Sequence, residues 1–526
     1  MPEGISLRSE WERSSTRWLL HYIVSWQFLR KLLFALAVFC TLMAVFYAYE
    51  DWRGKRAWHT YRAQLVSQGA DLDIRNIIPA EVPDDQNFAA TPFLSALFQG
   101  RRPSVTNVDA RWPTPFEDAR HAAKLFAGGK ELNTNDRRLT DLVSWQMAFR
   151  KLVTTNYDDL RASLNSHDPS IRAGAADEIL RALQVYDPVL TELHAASQRP
   201  LSRYKVIYDL QNPWGIFLPH LNVVKRTCEL LQLKASAELA KGDTESAFKD
   251  LNLILRFIES LQSESFVISH IVRSACVHFA AQILWEGLAL ERWSEPQLSQ
   301  LQARLLSYNF IGDLQRSFQF ERVAGIALVD LLENDKRQAL AIIDSGTTVP
   351  LELLARLAPE GWYELERVNY LKLFNECILA GPDPSTRTVS PGISEANERR
   401  VNAATGNGVK AILHHMALCR LLLPAIGSIH RKTALGQTAA HEAAVACALE
   451  RFHKAKGAHP KTLEELVPEF LSAIPNDPIS GKPLKYQPDP APKIYSVGWN
   501  QKDDGGIAGK TQTDGDWVWN LRNANE

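Results

Sequence analysis

His441-Glu442 is the residue pair that opens a helical zinc-protease signature, in which two histidines one turn apart hold the metal and the glutamate acts as base. Here Ala443-Ala444-Val445 follow, so the second histidine is missing and that chemistry is not indicated. Ser202-Arg203-Tyr204-Lys205 has the S-x-x-K spacing of an acyl-transfer nucleophile, but no K-T-G or S-D-N partner accompanies it. His414 and His415 are metal-ligand types, yet adjacent residues on a helix point in different directions. No G-x-S-x-G, Walker A or G-x-G-x-x-G motif occurs. The run Tyr204 to His220 is unusually aromatic, a composition that suits a domain core or a pocket lining. Towards the end, Asp503, Asp504, Asp514 and Asp516 crowd an acidic, glycine-rich loop. No catalytic residue is assigned from these patterns, and a non-enzymatic role is favoured.

The 526 residues are enough for two or three domains, and 45% hydrophobic with 23% charged residues is ordinary for a folded protein. A net charge of -1 gives no global field for nucleic acid, so no nucleic-acid partner is expected. The six cysteines are scattered without a C-x-x-C pair, and most lie in apolar stretches, the pattern of buried free thiols.

Leu32 to Tyr49 reads LLFALAVFCTLMAVFYAY, without a charge. That length meets the roughly 17–25 apolar residues a spanning helix needs. Arg30 and Lys31 bound it on one side, Glu50, Asp51 and Arg53 on the other, and Tyr47, Tyr49 and Trp52 suit an aromatic belt. We therefore expect a cytoplasmic segment at 1–31, a single uncleaved transmembrane anchor at 32–49, and the bulk of the chain in the periplasm or outside a bacterial inner membrane. The lipid bilayer is then the first partner.

Residues 50–131 contain a proline-rich stretch that excludes long helices. Phe88, Phe93, Phe98, Trp112 and Phe116 favour an ordered strap over a loose linker there. Residues 132–380 carry helical periodicity, with Leu251, Ile254, Leu255, Ile258 and Leu261 on one stripe. Gly242 and Asp243 can end one helix and cap the next, and Ser294 to Gln297 reads as a capping box. The pair from Val223 to Leu261 resembles a single tetratricopeptide hairpin. Residues 381–408 are rich in Gly, Pro, Ser, Thr and Asn and read as a linker. Residues 409–526 combine a packed helix, a long helix and an α+β unit. The fold class expected is mainly α: an N-terminal transmembrane helix, an all-α body, and a small C-terminal α+β domain with a long helix and a short antiparallel sheet.

The C-terminal part carries an ordered set of motifs. Lys454 to Pro460 reads K-x-x-G-x-x-P, and Thr462-Leu463 opens a short helix. Ile474 to Tyr486 then reads I-P-x-D-P-x-x-G-x-P-x-x-Y, followed by Tyr495 to Gly498 as Y-S-x-G. A turn at Asp504 to Gly506 and the D-x-D of Asp514 to Asp516 complete the set. This order resembles the globular domain of pseudopilin G, the major pseudopilin of type II secretion systems. The resemblance implies that the last loop binds calcium, a hard cation needing 6–8 oxygen ligands. Asp514 and Asp516 match the family's closing aspartates, and Asp503 or Asp504 adds a further ligand. The chain lacks the G-F-T-L-x-E processing motif, and charged residues stand in the helix preceding the domain, so it is not expected to be a processed pseudopilin. The function expected is an assembly or recognition role in the envelope, with other envelope or secretion-system proteins as partners. The alternative is an envelope hydrolase with its site in the helical domain.

Overall fold

The computed structural model describes residues 26–98, 116, 119–120, 137–150, 168–335, 357–406, 410–411, 414–423, 427–489 and 492–521. Residues 1–25 and Trp112 lie outside the described residues. The chain is mainly helical with a small antiparallel sheet, and its contacts divide it into two compact units.

The first unit comprises residues 1–70 and 332–369. Its main element is α1, Trp26–Ser67, one uninterrupted helix of 42 residues. At about 1.5 Å per residue it is about 63 Å long, roughly twice a bilayer's hydrocarbon thickness. The apolar window of α1 is long and apolar enough to cross a membrane, and none of it is buried within the protein. Below that window Gly54 lies against Gly361 so closely that a Cβ at Gly54 would sit 2.1 Å from the Gly361 carbonyl oxygen. Asp51 Oδ1 accepts from the Gly361 amide at 2.9 Å, and Glu50 Oε2 accepts from the Trp362 indole at 3.1 Å. These carboxylates meet the start of a helix beginning at Glu360, where unpaired amides favour negative charge.

The second unit comprises residues 71–331 and 370–526. Its helices are α2 (Leu142–Phe149), α3 (Pro169–Leu183), α4 (Asp187–Ala196), α5 (Pro219–Lys241), α6 (Thr244–Ser260), α7 (Val267–Ala289) and α8 (Glu295–Ser307). Further along come α9 (Phe310–Asn334), α11 (Pro391–Thr405), α12 (Ala417–Leu422) and α13 (Gly427–Lys456), while α10 (Glu360–Leu373) is the helix that starts in the first unit and runs on to Leu373. Helices α5, α6 and α7 pack on one another, α3 packs on α5, and α13 packs on α7 and α8. The local signals act as the sequence suggests. Gly242 takes φ +83° behind α5, the Asp243 side chain caps α6, and Ser294 with Gln297 forms both bonds of a capping box.

Residues 71–98 lie along this body. Phe88 is fully buried with its ring 5.2 Å from Phe257, and its amide bonds the Leu201 carbonyl at 2.8 Å. Within 381–408 the chain forms a two-residue hairpin, β1 (Pro382–Asp383) and β2 (Thr388–Val389), and then α11, which packs on α12 and α13. Pro391 at the first turn and the Ser390 cap make a helix of a segment whose composition resembles a linker. The apolar helix α7 is also long enough to span a bilayer, but 67% of its apolar window is buried, the position of a core helix.

Helix α13 is buried nearly all round, from Ala439 and Ala440 through Ala443 to Leu449. Small side chains let it thread between α7, α8 and the sheet without forcing them apart. The sheet has the order β3 (Lys485–Gln487), β4 (Lys493–Ser496), β5 (Trp517–Asn520), all antiparallel, with Ile494 opposite both Tyr486 and Trp519. Ile494 and Trp519 are fully buried in the same core as α13. Of the six cysteines, Cys40 is exposed on α1 and the other five are buried; all are free thiols.

Candidate functional site

A polar cleft of about 870 Å³ opens on the second unit. It is walled by the end of α4, the outer face of α6, and α8. Along α6 the lining residues are Glu245, Phe248, Lys249, Asn252, Arg256 and Glu259, which, the adjacent Phe248 and Lys249 apart, recur every three or four positions and so form one stripe. Ala247, Leu251, Ile254, Leu255 and Ile258 fill the opposite, buried face. The residues His194, Ser197 and Arg199 come from and just after α4, and Gln300 and Arg304 from α8.

His194 is the group in the cleft best arranged for proton chemistry. Its Nε2 lies 2.8 Å from Asp250 Oδ1; the histidine side chain is 30% exposed and the aspartate side chain 1%. Asp250 Oδ2 also binds Lys234 Nζ at 2.9 Å, and the same ammonium pairs with Glu238. Burial first, and the neighbouring Asp250 charge second, push the Glu238 carboxyl up to about 8. Burial would depress the Lys234 ammonium, but the carboxylates of Asp250 and Glu238 outweigh it and raise its pKa. Two carboxylates thus share one buried cation, and Glu238 is the one whose protonated form burial favours.

The arginines form the other half of the site. Arg304 places Nε and Nη2 on Glu259 Oε1 at 3.0 and 2.8 Å, and Nη1 on Asn252 Oδ1 at 2.5 Å. Arg256 donates through Nη2 to the Arg199 and Leu201 carbonyls at 2.8 and 2.7 Å, over the Phe88 ring. Burial lowers its pKa. Arg199 donates to the Asn87 carbonyl at 3.0 Å. The cleft therefore holds its arginines in fixed orientations, a polar arrangement suited to binding anionic groups.

The four aspartates singled out in the sequence are placed differently. Asp516 is fully buried, and its oxygens accept from the Gly506 amide at 2.7 Å and the Asp504 amide at 3.3 Å. Burial and the Asp504 and Asp503 charges raise its pKa. Asp504 Oδ2 accepts from the Asn500 amide at 2.8 Å. Asp503 turns to Lys485 Nζ at 2.7 Å, whose hydrogen bond holds the carboxyl below its ordinary value. Asp514 is exposed and accepts from the Thr511 hydroxyl at 2.7 Å. The Gly506 carbonyl, an oxygen a cation would use, accepts instead from Lys493 Nζ at 3.0 Å. Asp504 and Asp516 thus stand together, while Asp503 and Asp514 each turn to a neighbour of their own. Among the described residues no group of three or more His, Cys, Asp or Glu side chains is placed to hold a metal ion.

Of the other sequence candidates, Tyr204 is buried with its hydroxyl 2.9 Å from Ser260, and Lys205 pairs with Asp84 at 3.0 Å. His220 is buried 2.7 Å from Glu264 and stacks on Tyr204. His414 and His415 fall in a turn, His415 with φ +55°. His441 bridges the Asn476 carbonyl at 2.9 Å and Gln437 at 2.8 Å, a structural link from α13 to the following turn. The sequence reading missed the cleft, because Lys249, Asn252 and Arg256 read as the solvated side of an amphipathic helix. The signal within reach was that two of them are long cations on one stripe with Glu259. No protein-family model, no curated protein and no solved structure matches the chain.

Proposed function

We propose that this protein is a single-pass envelope protein that carries its mass outside the cytoplasm and serves assembly or recognition, with the α4–α6–α8 cleft as its binding surface. The observation that carries the reading is the pairing of an unburied, membrane-length apolar helix with a preorganised cationic cleft on the larger unit. The motif order from Lys454 to Asp516 supports a partner within a type II secretion-like assembly, with the C-terminal sheet unit as a borrowed fold; a fold does not bring processing or polymerisation with it. A photo-crosslinking residue at Gln300, on the cleft rim, tests the reading in living membranes. A discrete adduct that disappears when Lys249 is reversed to Glu is expected, with no adduct from the same probe at Lys502. Absence of any adduct at Gln300 counts against recognition at the cleft.

One observation favours a second reading. The His194–Asp250 pair has the spacing of a general base and its orienting carboxylate, which suits a hydrolase in the helical body. That reading requires hydrolytic turnover of an ester or glycoside by the purified chain, abolished by His194→Ala. Turnover that survives the substitution rejects it.

A further inference from the structure

We propose that the cleft takes an extended acidic peptide. The inference rests on the cleft being a recognition surface and names what it recognises. Around it stand Arg199, Lys249, Arg256 and Arg304 against Glu245 and Glu259, two positive charges in excess. The excess is not dispersed by internal pairing. Arg304 occupies Glu259, and Glu245 accepts from the Gln297 amide at 2.9 Å. Arg199 and Arg256 hydrogen-bond carbonyl oxygens, and Arg256 approaches Glu259 no closer than 3.9 Å. Lys249 is exposed and makes no ion pair with any described residue. Arg256 is 8% exposed, and its Nε is buried without a hydrogen-bond partner. Its side chain is already immobilised by the Arg199 and Leu201 carbonyls, so the charge is held in place at the cleft wall.

Shape selects the peptide among anions. The stripe from Glu245 to Glu259 runs about 21 Å along α6 at 1.5 Å per residue. An extended chain covers that length in about six residues at 3.3–3.6 Å each. The α6 cations do not converge on one point: Lys249 and Arg256 stand two helical turns, about 11 Å, apart within it. A phosphate site would close several donors on one centre instead. Gln198 and Gln300 line the same recess and can bond a peptide main chain.

The test uses the full chain in lipid nanodiscs at low ionic strength, with fluorescein-labelled hexaglutamate as probe. Hexaglutamate is expected to bind, to weaken with added salt, and to weaken about tenfold in Lys249→Glu. Hexalysine is expected not to bind. Glu245→Gln is expected to tighten binding, which guards against a variant that merely misfolds. Equal affinity in Lys249→Glu and the parent, or no binding of hexaglutamate at millimolar concentration, overturns the proposal. Preferential binding of inorganic tripolyphosphate overturns the peptide class alone. A crosslink at Gln300 without hexaglutamate binding removes the acidic peptide and leaves recognition standing; loss of both removes both.

Discussion

At the residue scale, the chemistry of the larger unit sits in buried polar groups that the sequence displays without marking. Asp250 and Glu238 look like ordinary helix-surface acids in a linear reading. Glu238 meets Lys234 one turn away on α5, and packing of α6 on α5 brings Asp250 to the same ammonium, which completes the cluster. The pH consequence follows from the raised Glu238 pKa. The folded state holds a proton that the unfolded chain releases near 4.5, so this contribution is complete below about 4.5 and is lost as pH rises through about 8. Glu238→Gln is expected to flatten the decline in stability across that window. Urea unfolding of parent and variant at pH 5 and pH 8.5 measures it; an identical pH slope in both excludes Glu238 as the cause. The acidic loop was legible as a group of four aspartates, but which of them a lysine would claim was not, because Lys485 and Lys493 reach it only after β3 and β4 pair.

At the element scale, legibility was greatest where a local rule fixes the backbone. The Gly242 helix end, the capping box at Ser294, the helix start at Thr462 and a short antiparallel sheet near the end were all readable from spacing. The cleft was not, since it needs α4, α6 and α8 side by side and no local pattern encodes that. Asp477 is a further case. It reads as a turn residue, but with 2% exposure its carboxylate gathers the Ile479 amide and the Ser496 and Ser480 hydroxyls at 2.6 to 2.9 Å. It pins the turn to β4, while Lys493 and Lys485 brace the loop beyond. The sheet unit so held is expected to melt at the same temperature with calcium and with a chelator. Asp477→Ala is expected to cost about 2–3 kcal/mol by stranding buried donors, and Lys493→Met about 1 kcal/mol. Thermal melts of the full chain decide this. A marked rise in melting temperature with calcium would show the aspartates regrouping around the ion.

At the scale of the whole molecule, composition and hydropathy carried most of what was readable. A helical chain with an apolar, membrane-length N-terminal helix followed from periodicity and from an uncharged run. The division of contacts was less accessible, because residues 332–369 join α1 in one unit across some three hundred positions of sequence. Such non-local pairing leaves no period in the chain; here it rests on Gly54 meeting Gly361 and on Glu50 and Asp51 accepting from Trp362 and Gly361. The central claim is that α1 spans a membrane and holds the larger unit outside the cytoplasm. The native cysteines favour a direct measurement, since five are buried and Cys40 lies within the apolar stretch of α1. Lys502, exposed on the larger unit, is replaced by Cys and treated in intact spheroplasts with a membrane-impermeant maleimide. The account predicts labelling of Lys502→Cys without lysis, on a chain that resists alkaline extraction. Labelling only after lysis, or release of the chain by alkali, would contradict it.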